Sequence, residues 1–128
     1  MTLVLDAGAV SALTGQRARL RELHRRGLWP AQVPAVVLAQ ALTGDHRRDF
    51  AANRLLRTCQ VRGVDEALAR EAARLRTATG RAGTISAVDA VVAALAGGMP
   101  DAVVLTTDAT DLRALAEHTT LPLRVVSA

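Results

Sequence analysis

Short apolar runs alternate along this chain with longer stretches of helical period. Leu3–Leu5 is an apolar run that stops at Asp6, which is how a buried parallel strand reads. Gly8–Leu13 has room for a short helix before Thr14-Gly15 breaks it. Arg17–Arg26 is helical, with Leu20 and Leu23 on its apolar side and Gly27 at its end. Leu28–Val33 reads as a second strand, and Pro34 suits the first turn of a helix over Ala35–Leu42. A further helix is expected over Arg47–Thr58 and a weak strand over Gln60–Val64.

The second half is more regular. Asp65 is a plausible cap for a helix running to Thr79, with Leu68, Ala72 and Leu75 as its core stripe. Gly80–Gly83 is a loop, and Ser86 opens a helix over Ala87–Ala96 that Gly97-Gly98 and Pro100 stop. Ala102–Leu105 is a strand, Asp108–Glu117 a helix and Leu123–Val126 a last strand. Strands alternating with helices predict one α/β domain over residues 1–128, built on a parallel sheet.

Composition narrows this picture. With 128 residues, half of them hydrophobic, the chain can bury a single core. No apolar run is long enough to span a bilayer and no basic-then-apolar leader opens the chain, so the expectation is a soluble cytoplasmic protein with no membrane contact. The single cysteine, Cys59, excludes an internal disulfide and a cysteine-rich zinc site, and reads as a buried inert thiol.

Charge adds a second asymmetry. All 16 basic residues are Arg, and the net charge is +4. Residues 17–81 carry 14 Arg against six acids, whereas residues 82–128 carry two Arg against five acids. A basic middle beside an acidic remainder suits a polyanion held near a cation-binding cleft.

Three acids stand at element junctions. Asp6 follows the first strand, Asp108 follows the strand Ala102–Leu105, and Asp89 lies three residues after Ser86 at a helix start. Each has an ordinary role available as a helix cap, and Asp111 does too, in the first turn after Asp108. In an open α/β sheet, however, strand ends are where ligands bind. Carboxylates gathered there repel one another without a counter-charge, and oxygen ligands without nearby His or Cys favour Mg²⁺ or Mn²⁺.

Other uses of a strand-end Asp fit poorly. Receiver domains and aspartate-dependent phosphatases rely on a lysine, and this chain has none; the phosphatases also need a second Asp where Gly8 stands. No Gly-Lys pair exists to form a P-loop. His24, His46 and His118 have no paired spacing, and Ser11 lacks a nucleophile-elbow context.

Taken in order, Leu3-Val4-Leu5-Asp6, Val33–Gln40, Val88–Ala96 and Val104-Leu105-Thr106-Thr107-Asp108 resemble the PIN-domain nucleases, and within them the VapC-type toxins of toxin–antitoxin pairs. The resemblance spans nearly the whole chain and lies in the order and spacing of short motifs. It implies a three-layer α/β/α sandwich with a mostly parallel central sheet. It also implies an Mg²⁺- or Mn²⁺-dependent endoribonuclease, an RNA substrate, a homodimer and inhibition by a small cognate antitoxin. Asp6, Asp89 and Asp108 match family acids as catalytic metal ligands, Asp111 matches a further acid, and Thr106 and Thr107 match hydroxyl positions that orient a carboxylate or water.

The departures are specific. The family's second acid falls on Gln40, which offers a carbonyl oxygen but no charge. Ser86 stands where some members carry another acid, and Ala7 where Thr or Ser is common. The alternative reading is therefore a weakened or inactive PIN-like module that binds RNA or protein without cutting.

Overall fold

A computed structural model describes all of residues 1–128. The elements run β1 (Thr2–Leu5), α1 (Ala7–Thr14), α2 (Arg17–Arg25), β2 (Gln32–Pro34), α3 (Ala35–Ala41), α4 (Phe50–Leu56), β3 (Gln60–Arg62), α5 (Glu66–Ala78), α6 (Ala87–Gly97), β4 (Ala102–Thr106), α7 (Ala109–Ala116) and β5 (Leu123–Ser127). All five strands are parallel, in the order β3-β2-β1-β4-β5. The sheet is thus wholly parallel where the sequence resemblance implied a mostly parallel one. No helix is long and apolar enough to cross a membrane.

The topology makes one place in this sheet special. From β1 the chain moves outward to β2 and β3, then returns to the other side of β1 as β4 and continues to β5. Right-handed crossovers put α1–α4 on one face and α5–α7 on the other, giving the α/β/α sandwich. The strand order reverses between β1 and β4, and the crevice at their carboxyl ends is where such sheets bind ligands. Asp6 ends β1 there, and Thr106-Thr107-Asp108 leave β4 beside it, with Leu5 in register with Leu105.

The core explains why these elements stay put. Leu3, Val4, Leu5, Val103, Val104 and Leu105 are buried in the two central strands. Helix α6 is buried without a break from Ala90 to Gly97, because it lies against β1, β2 and β4 and is covered by α5 and α7. Its small side chains permit that close approach. Cys59, expected to be buried, is only half-buried, and burial pushes its thiol up to about 11.

Two elements differ from the sequence reading for identifiable reasons. The second strand was expected over Leu28–Val33 and spans Gln32–Pro34 instead. Leu28 is used to end α2: its amide donates back to the Leu23 carbonyl at 3.0 Å while Gly27 takes φ +74°. The helix expected over Arg47–Thr58 begins only at Phe50. Before it, the Asp45 side chain accepts from the amides of Arg47 and Arg48 at 2.9 and 3.2 Å, making a turn. Buried Asp49 reaches back to accept from the amides of Thr43 and Gly44.

One close approach ties the β4–α7 loop to α1. A Cβ on Gly8 would lie 1.9 Å from Thr107 Oγ1 and 3.0 Å from Thr107 Cβ. Glycine inside a helix costs about 1 kcal/mol relative to alanine, so its place here follows from the space Thr107 takes. The expected outcome for Gly8→Ala is a loss of about 1–3 kcal/mol of stability by overpacking, read from chemical denaturation. Adding Thr107→Gly should return most of it; a Gly8→Ala variant as stable as the parent would mean that the contact does not constrain the loop.

Candidate metal centre at the sheet edge

The site begins with Asp6. It is almost fully buried and its two carboxylate oxygens have separate partners. Oδ1 accepts from the Ala9 amide at 2.8 Å, which caps α1. Oδ2 accepts from the hydroxyl of fully buried Thr106. A carboxylate has about four acceptor positions, so both contacts leave lone pairs free. The capping role open to Asp6 from sequence is real, and it does not use up the group.

Thr106 also reaches Asp108. Its Oγ1 accepts from the Asp108 amide at 3.0 Å and lies 3.2 Å from the Asp108 carbonyl oxygen. One hydroxyl therefore couples the end of β1 to the turn after β4. Thr107, the neighbouring hydroxyl position, lies against Gly8 instead, and its hydroxyl makes no hydrogen bond to any of the four acids. The backbone of Asp108 occupies the cap position of α7, but its carboxylate makes no capping hydrogen bond. A capping hydrogen bond thus does not account for the acid at 108, whose charge still suits the positive end of α7.

Asp89 arrives from the other face, in the first turn of α6. The Ser86 hydroxyl accepts from its amide at 3.0 Å, forming the capping half of the Ser86/Asp89 pattern. The Asp89 carboxyl is held above the ordinary carboxylate range, first by burial and further by the charges of Asp6, Asp111 and Asp108; Ser86 pulls the other way. All four acids therefore share one electrostatic neighbourhood, although they are up to 105 residues apart in sequence.

Asp111 has a partner the sequence reading missed. Arg81 Nη2 donates to its Oδ1 at 2.9 Å, and this is the only ion pair that engages any of the four acids. Gln40 is exposed near the end of α3, roughly 8 Å along the helix from its start, and makes no hydrogen bond to these acids. Gly8 and Arg81 are the residues that pattern reading passed over. A glycine in the first turn of a helix was a usable signal of close approach; nothing local marked Arg81.

The donor chemistry fits a hard divalent cation. Asp6, Asp89 and Asp108 offer carboxylate oxygens with no histidine or cysteine among them, and Asp111 could join them. No three acidic or histidine side chains stand close enough together to hold an ion as they are, so binding would draw the side chains inward from their present positions.

The raised Asp89 group has a measurable consequence. A carboxyl that holds its proton better in the folded state adds stability below its unfolded value, near 3.9, and that stability is lost as pH rises through the higher folded value. Asp89→Asn should therefore melt above the parent at pH 7 in chelator, with the gap closing as pH falls toward 4. A variant that melts lower at pH 7 would show that neither burial nor neighbouring charge destabilises the Asp89 carboxylate.

Neither a family model nor a curated protein matches the sequence. Solved structures match over nearly the full length. The DNA-bound VapBC from Salmonella typhimurium aligns with TM-score 0.72 at 18% identity, over 99% of this chain and 98% of that one. VapBC2 from Rickettsia felis, bound to a promoter DNA fragment, aligns with TM-score 0.65 at 13% identity, over 98% and 99%. FitAcB from Neisseria gonorrhoeae aligns with TM-score 0.63 at 19% identity, over 95% and 96%. Placed beside the motif order in the sequence, these matches identify the architecture: the chain has the PIN-domain fold that its sequence resembles in VapC-type toxins.

Proposed function

We propose that this chain is a metal-dependent endoribonuclease and the toxin half of a toxin–antitoxin pair. The observation that carries the reading is the placement of Asp6 and Asp108 at the carboxyl ends of β1 and β4, where the Asp108 side chain caps nothing and the Asp89 carboxyl is held up by burial first and then by the charges of Asp6, Asp111 and Asp108. Neighbouring carboxylates repel one another, and a bound divalent cation relieves that repulsion.

In this reading Asp6, Asp89 and Asp108 hold Mg²⁺ or Mn²⁺, and Asp111 assists directly or through water. When bound, such an ion activates water for in-line attack on phosphorus and offsets charge on the leaving oxygen. The protein's own contribution is positional. The Thr106 hydroxyl and Ala9 amide hold the Asp6 carboxylate in place, one on each oxygen. The N-terminus of α6 adds partial positive charge near the substrate phosphate. Arginines of the basic segment attract the RNA backbone without reading its sequence.

The fold neighbours are two-component assemblies, which supports a small antitoxin as partner, and a homodimer is proposed with it. A second reading has its own observation. Gln40 replaces a family acid, and no three acids are close enough to hold an ion as they stand. A PIN-fold module that binds RNA or protein without cutting would follow from those facts.

RNA cleavage by purified protein separates the two. With Mn²⁺ the parent should cut RNA, chelator should stop it, and Asp6→Ala and Asp89→Ala should each fall by at least about 100-fold. RNA retention without turnover would favour the binding module, and equal cleavage by all three proteins would refute the assigned site.

A further inference from the structure

Arg81 stands apart from the other arginines. Many of those that pair do so locally, one turn along their own helix: Arg25 and Arg26 with Glu22, Arg70 with Glu66, Arg74 with Glu71. Arg81 instead crosses from the α5–α6 loop to α7 and takes Asp111, 30 residues away, at 2.9 Å. The Asp111 side chain is only 20% exposed, while that of Arg81 is 44% exposed. The carboxylate is thus largely enclosed, and the guanidinium keeps a face open to solvent.

The loop that carries Arg81 is fixed at its backbone. Arg76 Nε donates to the Ile85 carbonyl at 2.9 Å, and its Nη2 donates to the Ala82 carbonyl at 2.6 Å. The Arg81 amide donates to Thr79 Oγ1, and its carbonyl accepts from the Thr84 and Ile85 amides at 2.9 and 3.0 Å. The same loop leads into Ser86 and the first turn of α6, where Asp89 lies. A long side chain on a rigid base can change partner without any rearrangement of the fold.

We propose that Arg81 is a built-in counter-charge that holds Asp111 while the crevice lacks a cation and passes to a substrate phosphate when a divalent ion takes the carboxylate. This rests on the metal-dependent reading above and adds a substrate-binding residue to it. Asp111 is one of three acids whose charge reaches Asp89, and Arg81 is the one cation paired with any of the four. A divalent ion competes with the guanidinium for Asp111, since both need the same oxygens. Once released, the planar fork of Arg81 has the geometry to accept a phosphate in two-point contact.

The test has two readouts that move in opposite directions. Calorimetric titration with Mn²⁺ alone should show Arg81→Gln binding the ion roughly three- to tenfold more tightly than the parent, because a competing cation is gone. Adding Asp111→Asn should erase that gain. Arg81→Lys, which keeps the charge, should stay within about twofold of the parent. Binding of a single-stranded RNA should weaken in Arg81→Gln, with the slope of log affinity against log salt shallower by about 0.7, as for one lost phosphate contact. Mn²⁺ affinity in Arg81→Gln equal to or weaker than the parent's would overturn the counter-charge role, and an unchanged salt slope would overturn the phosphate role. A parent that binds no Mn²⁺ would instead bring down the metal-dependent reading itself, and this inference with it.

Discussion

The parallel pairing of β1 with β4 is the constraint around which the candidate site is arranged. The strand order places the carboxyl ends of β1 and β4 side by side, and both lead into acids. Helix α6 adds Asp89 and α7 adds Asp111. The backbone fixes where each carboxylate starts, so the charges cannot relax by moving far apart. What limits the cost is local: an amide and a hydroxyl on Asp6, the Ser86 hydroxyl beside Asp89, and a guanidinium on Asp111. Hydrogen bonds to a carboxylate favour its charged form, whereas burial and neighbouring acids oppose it, and at Asp89 the opposing effects prevail.

The packing underneath keeps the site from spreading. Helix α6 can lie flat against three strands because Ala90, Ala93, Ala94, Ala96 and Gly97 present so little side chain. On the opposite face, Gly8 lets Thr107 lie against the first turn of α1, which seats the turn carrying Asp108. Both devices remove atoms rather than add contacts. The positions of Asp89 and Asp108 are thus set by how closely backbones approach, and the central apolar strands supply the rigid base.

Much of this was legible in the sequence because the signals were local. An apolar run cut short by Asp6, a Ser86-to-Asp89 spacing and a strand followed by Asp108 each announce a junction within a few residues, and the parallel alternation follows from them. The readings that failed depended on longer reach. Leu28 is apolar and looked like strand, yet its amide closes the end of α2; Asp45 and Asp49 turn a helical pattern into a loop before Phe50. At the site, Thr106 and Thr107 were indistinguishable hydroxyls in sequence, and only their facing across the β4 exit separates them: one reaches Asp6, the other Gly8. Arg81 lay in an unremarkable loop, since no periodicity connects a loop residue to a helix 30 positions on.

Whether these oxygens answer to a cation is decided by locating one. Crystals of the protein soaked in Mn²⁺ and measured near the manganese absorption edge would reveal the ion by its anomalous signal. The account predicts a single strong peak within bonding distance of carboxylate oxygens from Asp6, Asp89 and Asp108, about 2.0–2.3 Å away. A peak held by other residues, or none at that edge of the sheet with Mn²⁺ present, would contradict it.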